Sequence, residues 1–199
     1  MRLVLATHNR DKIQEINVLL QELPIQILTF EDFDSLPEVI EDRDTLEGNA
    51  EKKAREIYEE TGLPAMADDT GLFVHALHGE PGVYSSRYAG ENVTYADNRH
   101  LLLKNMEDVP LKDRDAEFRT IIVLMLNEDE KFIVEGSCSG YIGFKEKGTM
   151  GFGYDPIFYL KESGKSFAEL SLAEKNEISH RGRALKKIKK ILEEITKNT

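Results

Sequence analysis

The sequence predicts an α/β protein. Apolar runs of strand length alternate with stretches whose apolar residues recur at helical spacing, two long strand-like runs meet across a turn, and the chain closes on an amphipathic helix. Its 199 residues suffice for one sizeable domain, or one domain with two lobes, and no internal repeat is visible. A hydrophobic share of 40% and an aromatic share of 8% place it among ordinary globular proteins rather than disordered chains.

Arg2-Leu3-Val4-Leu5-Ala6 reads as a buried strand, and Ile13, Ile16, Leu20 and Leu23 then mark one face of a helix. The loop between them is Thr7-His8-Asn9-Arg10-Asp11-Lys12, in which Thr7 and Asn9 can cap and Lys12 falls in the first helical turn. A cation there opposes the helix dipole, so Lys12 reads either as facing a bound anion or as a solvated lysine beside an ordinary cap. Ile25-Gln26-Ile27-Leu28 is a second strand, and an acidic, irregular stretch from Glu31 to Asp44 follows, with Glu41 in it. Asp44-x-x-Glu47 resembles a capping box and predicts a helix to about Glu60 that carries Asn49, Lys52 and Lys53 and stops at Thr61-Gly62. Ala65-Met66-Ala67 and Gly71 to Ala76 read as two strands. Thr94 caps a helix with Leu101, Leu102 and Met106 that ends at Pro110. Phe118 to Leu126 and Lys131 to Tyr141, joined by Asn127-Glu128-Asp129-Glu130, read as a hairpin. Ser171-x-x-Glu174 is a capping box for a short helix holding Lys175. His180 and Arg181 then open a terminal helix with Leu185, Ile188, Ile191, Leu192 and Ile195 on one stripe.

The chemistry gathers at Asp68-Asp69-Thr70-Gly71. Two adjacent carboxylates are costly to bury together, because like charges oppose joint ionisation, so a cation belongs beside them. A hard divalent ion such as Mg2+ takes one or two carboxylates plus substrate phosphates, which makes the pair a natural half-site. The same four residues are equally good turn chemistry, with both carboxylates solvated in an Asx-turn. Gly71 would allow a tight turn or a close approach. Further along, Gly148 to Pro156 sets three glycines and two aromatics in a loop, which reads as a platform for a flat ligand or as a surface loop.

A net charge of −11 disfavours a general nucleic-acid or anionic-membrane surface. No window is apolar enough to span a bilayer, and the first residues lack a secretory pattern, so a cytoplasmic, soluble protein is expected. The single cysteine, Cys138, sits in an apolar-flanked run and fits packing in a reducing compartment. His75 and His78 lack the further ligands of a zinc set.

Cations at three loop-to-helix junctions (Lys12, Lys175, His180-Arg181) together with paired acids point to phosphate plus metal. Five ordered stretches, Thr7-x-Asn9-x-x-Lys12, Ala67-Asp68-Asp69-Thr70-Gly71-Leu72, Pro81-Gly82-Val83-Tyr84-Ser85-Ser86-Arg87-Tyr88, Gly151-Phe152-Gly153-Tyr154-Asp155-Pro156 and Ser179-His180-Arg181, resemble the inosine/xanthosine triphosphate pyrophosphatase family over essentially the whole length. The resemblance implies a single nucleotide pyrophosphatase domain over 1–199, with a long central mixed sheet and helices in two lobes around a substrate cleft. It implies cleavage of ITP, dITP and XTP to the monophosphate and pyrophosphate, with Mg2+, by a homodimer. By the same resemblance Asp69 is the general base, and Asp69, Asp68 and Glu41 hold the metal. Thr7, His8, Asn9, Arg10, Asp11, Lys12, Lys53 and Thr70 would bind the triphosphate. Phe152, Gly153, Tyr154, Asp155, Lys175, His180 and Arg181 would take base and sugar. Two positions depart from the family pattern: His8 stands where a small residue is common, and Gly48 where an acidic one is frequent. Competing expectations are a non-catalytic nucleotide-binding regulator, which the intact acidic pair argues against, and a metal-dependent phosphomonoesterase, which would release phosphate.

Overall fold

The computed structural model of the protein describes residues 1–197. Seven strands form one mixed sheet in the order β2-β1-β3-β5-β6-β7, with β4 paired to β3. The strands are β1 Arg2–Leu5, β2 Gln26–Leu28, β3 Ala65–Val74, β4 Pro81–Gly82, β5 Asp115–Met125, β6 Lys131–Ile142 and β7 Phe158–Tyr159. The helices are α1 Arg10–Leu20, α2 Leu46–Thr61, α3 Tyr95–Asn105, α4 Leu172–Ile178 and α5 His180–Lys197. β1 runs parallel to β2 and β3, whereas β4 on β3 and β7 on β6 are antiparallel. The chain divides into two compact units: residues 1–69, 120–136 and 181–199, and residues 70–119 and 137–180.

In the first unit the strands present different side chains to two sets of helices, as the two-residue period of a strand demands. Leu3, Leu5, Met66, Ile122 and Leu124 pack with Ile16 and Leu20 of α1 and with Leu185, Ile188 and Leu192 of α5. Val4, Ala6, Ala65, Ala67, Val123 and Met125 pack with Ala50, Ala54 and Ile57 of α2. In the second unit Leu72, Val74, Phe118, Ile142, Phe158 and Phe167 pack with Leu102 of α3 and with Met106, which caps its C-terminus, and Cys138 is buried with them.

Several sequence expectations change, among them the end of α3, which stops at Asn105 with Met106 as its C-cap rather than running to Pro110. The residues around the acidic pair are one continuous ten-residue strand rather than two strands and a turn, because the carboxylates find cationic partners inside the fold and do not need a solvated turn. The cap of α2 is Thr45 and not Asp44: its side chain accepts from the N–H of Gly48. The helix closes as expected, with Gly62 left-handed at φ 64. The capping boxes at Thr94 and Ser171 are both formed. The hairpin strands extend three residues earlier, to Asp115, and one later, to Ile142.

Candidate active site

Strand alternation sends Asp68 and Asp69 to different partners. Asp68 continues the Met66 side, where α1 and α5 pack: its Oδ1 lies 3.1 Å from Lys12 Nζ, and Arg181 Nε donates to its Oδ2 at 3.0 Å. Arg181 Nη1 donates in turn to Glu15 Oε2 at 2.6 Å, and all of Glu15, Asp68 and Arg181 are buried. Asp69 continues the Ala65 and Ala67 side, toward α2. Asn49 Nδ2 donates to its Oδ2 at 3.2 Å, and Lys53 Nζ stands 3.6 Å from its Oδ1. The same ammonium donates to Glu41 Oε1 at 2.6 Å and to the Asp68 carbonyl at 2.7 Å, while Thr120 Oγ1 donates to the Asp69 carbonyl at 3.0 Å.

These surroundings push the two carboxyls apart. Burial raises the pKa of Asp69, and the Glu41 carboxylate adds to the rise, against the opposing pull of Lys53, Lys12 and the Asn49 hydrogen bond. Burial acts the same way on Asp68, but Lys12, Arg181 and Lys53 outweigh it and hold that carboxyl below the usual range. Burial lowers Lys12 despite Asp68. Lys53 is raised, because the carboxylates of Asp69, Glu41 and Asp68 overcome its burial. One carboxyl thus stays firmly ionised while its neighbour is shifted toward accepting a proton, the separation of environments that marks acid–base sites.

The loop before α1 is locally tied. Asn9 Oδ1 accepts from the N–H groups of Asp11 and Lys12, and Thr7 Oγ1 accepts from that of Asn9. Arg10 pairs with Glu31 on the exposed surface, Asp11 is exposed, and the His8 ring lies 3.8 Å from that of Phe30. Of this loop, Lys12 is the residue brought to the carboxylates.

In the second unit, Gly151 (φ 73) and Gly153 (φ 60) curl the loop over Asp155. A Cβ on Gly151 would fall 2.1 Å from Asp155 Oδ2, so glycine is required there. That oxygen accepts from the Phe152 N–H at 2.9 Å and from Lys175 Nζ at 2.6 Å, a fully buried ion pair. Lys175 also stands 4.7 Å from the centroid of the half-buried Phe152 ring. Tyr154 turns inward, donating its hydroxyl to the Ser85 carbonyl at 2.9 Å, and burial raises its pKa. Ser85 itself accepts from the Leu72 N–H and donates to the Gly82 carbonyl, so the Pro81–Tyr88 motif ties β3 to β4. His180 is buried and stacked on Phe118 at 4.5 Å. Thr70 follows Asp69 on β3.

Residues 3–191 match the model of the Ham1 family. The chain belongs to the Ham1 family. A dITP/XTP pyrophosphatase of Geobacter sulfurreducens is 49% identical over 94% of both chains. One from a Thermoanaerobacter species is 47% identical over 95% of both. A solved HAM1 protein from Coxiella burnetii superposes with a TM-score of 0.89 at 43% identity, covering 98% of this chain and 99% of its own.

Within this Ham1-family chain the motifs omit four residues that the structure brings to these clusters, three in the first unit and one in the second. Glu15 supports Arg181, Asn49 and Thr120 hold Asp69, and Arg99 reaches the glycine loop. Glu15 had a signal in the sequence, since it falls on the same helical face as Lys12 and Leu19, one residue from Ile16. Arg181, grouped by motif with the base-binding residues, is engaged with Asp68 and Glu15.

Among the described residues no group of three or more His, Cys, Asp or Glu side chains is arranged to hold a metal ion. The donor set nevertheless fits a hard divalent ion. Glu41 and Asp69 already share one cation, the Lys53 ammonium, and the nearby Glu41 carboxylate raises the pKa of Asp69. Mg2+ needs only one or two protein carboxylates when phosphate oxygens and water complete its shell. Asp68, which meets cations at both oxygens, is less suited to the role.

Proposed function

We propose that the chain hydrolyses non-standard purine nucleoside triphosphates (ITP, dITP and XTP) to the monophosphate and pyrophosphate. The observation that carries this reading is Asp69, a buried carboxyl shifted toward proton acceptance and held by Asn49 and Lys53. The names of the Ham1 relatives give the substrate class. In this reading Asp69 orients a water and takes its proton as the oxygen attacks the α-phosphorus, and the bond to the bridging oxygen breaks to release pyrophosphate. Lys12 and Lys53 meet the negative charge of the phosphates and of the transition state. Asp69 and Glu41 would hold Mg2+, which when bound neutralises phosphate charge and polarises the reacting phosphoryl group. Asp68, fixed by Arg181, would act by aiming Lys12. Thr7 to Asp11 and Thr70 would contact the triphosphate through backbone and hydroxyl groups.

The purine would fall to Phe152–Asp155, Lys175 and His180. Inosine and xanthine carry an acceptor oxygen at purine position 6, where adenine carries a donor amine. A backbone N–H aimed at that position pairs with the first and opposes the second, and a site built on a buried hydrogen bond can reject the wrong partner by about 10⁴–10⁵-fold. We further propose that residues 1–199 act as one catalytic domain, that the protein is a homodimer, and that it works in the cytoplasm. The membrane side is simple: no helix among the described residues is long and apolar enough to cross a bilayer.

The test is a nucleotide panel with Mg2+ in which phosphate and pyrophosphate are detected separately. Pyrophosphate and IMP in equal amounts from ITP, with ATP far slower, is the expected result. Phosphate instead of pyrophosphate would indicate a phosphomonoesterase, and binding without turnover a regulator. Sedimentation at several concentrations reads the dimer.

A further inference from the structure

Helix α3 touches the glycine loop through residues that none of the family motifs contains. Arg99 is mostly buried, with 14% of its side chain exposed, and its guanidinium is fully directed. Nε and Nη2 donate to the two carboxylate oxygens of Glu146 at 2.8 and 3.2 Å, and Nη1 donates to the carbonyl of Gly153 at 2.9 Å. One side chain on α3 therefore ties the chain just ahead of the loop to a peptide in its middle. Tyr95, one helical turn earlier and on the same face, brings its ring to 6.0 Å from that of Phe152. Gly153 needs such a tie. It is left-handed at φ 60, and nothing lies within 4 Å of where a Cβ would be, so side-chain packing does not set its orientation.

We propose that Arg99 is a positioning residue for purine recognition. The inference rests on the reading that this loop takes the purine. A planar trans peptide points its carbonyl and its N–H in opposite directions. By drawing the Gly153 carbonyl toward α3, Arg99 turns the N–H of Tyr154 away from α3 and holds Phe152 in the attitude in which Lys175 stands over its ring. The bidentate pair with Glu146 fixes the plane of the guanidinium, which a lysine ammonium cannot reproduce.

The experiment compares wild type, Arg99→Ala, Arg99→Lys and Glu146→Gln, measuring kcat and KM for ITP and ATP and calorimetric binding of IMP. In Arg99→Ala the KM for ITP and the Kd for IMP should rise about tenfold or more, the scale of a lost charge-assisted contact. kcat for ITP should change little, and the ITP-to-ATP ratio of kcat/KM should fall. Arg99→Lys should recover only part of this, and Glu146→Gln should move both readouts the same way by a smaller factor. A folded Arg99→Ala protein with unchanged IMP affinity and an unchanged ratio overturns the proposal. If that variant does not fold, Glu146→Gln decides in the same terms, since Glu146 is half exposed. A wild type that binds IMP but releases no pyrophosphate from ITP would sink the proposed reaction while leaving the Arg99 comparison intact. A wild type that binds no IMP would overturn both.

Discussion

Asp68 and Asp69 are chemically identical neighbours made different by where a strand points them. Asp69→Asn keeps the size and the Asn49 side of the site but removes the proton acceptor, so the variant should fold and lose about 10²–10⁴ in turnover; a rate above a tenth of wild type would place the base elsewhere. Asp68 calls for the opposite expectation, a structural one. Its carboxyl is held below the ordinary range by Lys12 and Arg181. A depressed folded pKa contributes stability that is fully present above the unfolded value of about 3.9 and is lost as pH falls through the folded one. Asp68→Asn should therefore cost about 3–5 kcal/mol near neutrality, because it leaves two buried cations short of a partner. The deficit relative to wild type should shrink as pH falls below about 4, because Asp68 of the unfolded chain then takes up a proton while the folded carboxyl is still ionised. Urea titrations in a chelator at several pH values measure this directly, and a deficit that stays constant with pH would assign the loss to packing.

At the scale of elements, β3 does the positioning, and Gly71 shows how closely it is packed. A Cβ there would lie 2.6 Å from the Gly82 carbonyl of β4 and 2.9 Å from the Phe73 ring. Gly71→Ala should destabilise by about 1–3 kcal/mol, the usual cost of forcing atoms into a filled space, and an unchanged denaturation midpoint would mean that β4 moves aside freely. Most helices and their caps were legible in the sequence because caps are local: Ser171 and Thr94 announce their helices within four residues. β3 was not, because Asp-Asp-Thr-Gly has turn propensity, and only the distant Lys12, Lys53 and Arg181 make burial of those acids tolerable. The site divides in the same way. Motif residues at loop-to-helix junctions could be named from the chain, whereas Asn49, Thr120, Glu15 and Arg99 act through contacts 20 to 166 residues apart. No local pattern carries such information. The pairing of Arg181 with carboxylates was illegible for the same reason, since its partners Asp68 and Glu15 lie far behind it in sequence.

At the scale of the molecule, a chain of net charge −11 nevertheless gathers cations at one place, burying Lys12, Lys53 and Arg181 among carboxylates, beside which the proposed triphosphate would sit. The last of these arrives with α5, which also brings Leu185, Ile188 and Leu192 into the first unit's core. A chain ended at His180 should therefore lack the cooperative unfolding transition of the full chain; a sharp transition at a similar midpoint would show α5 to be an accessory. The division into units has one more consequence, for inheritance. Their boundaries fall at 69/70, 119/120, 136/137 and 180/181, inside β3, β5, β6 and α5 respectively. No boundary lies in a loop, where insertions and recombination are tolerated. The half that carries the glycine loop is not a contiguous cassette: a chimaera would need two grafts and four joints, each cut through a strand or a helix. If that loop takes the purine as proposed, base preference is more readily altered by single substitutions within an intact chain than by exchange of a unit.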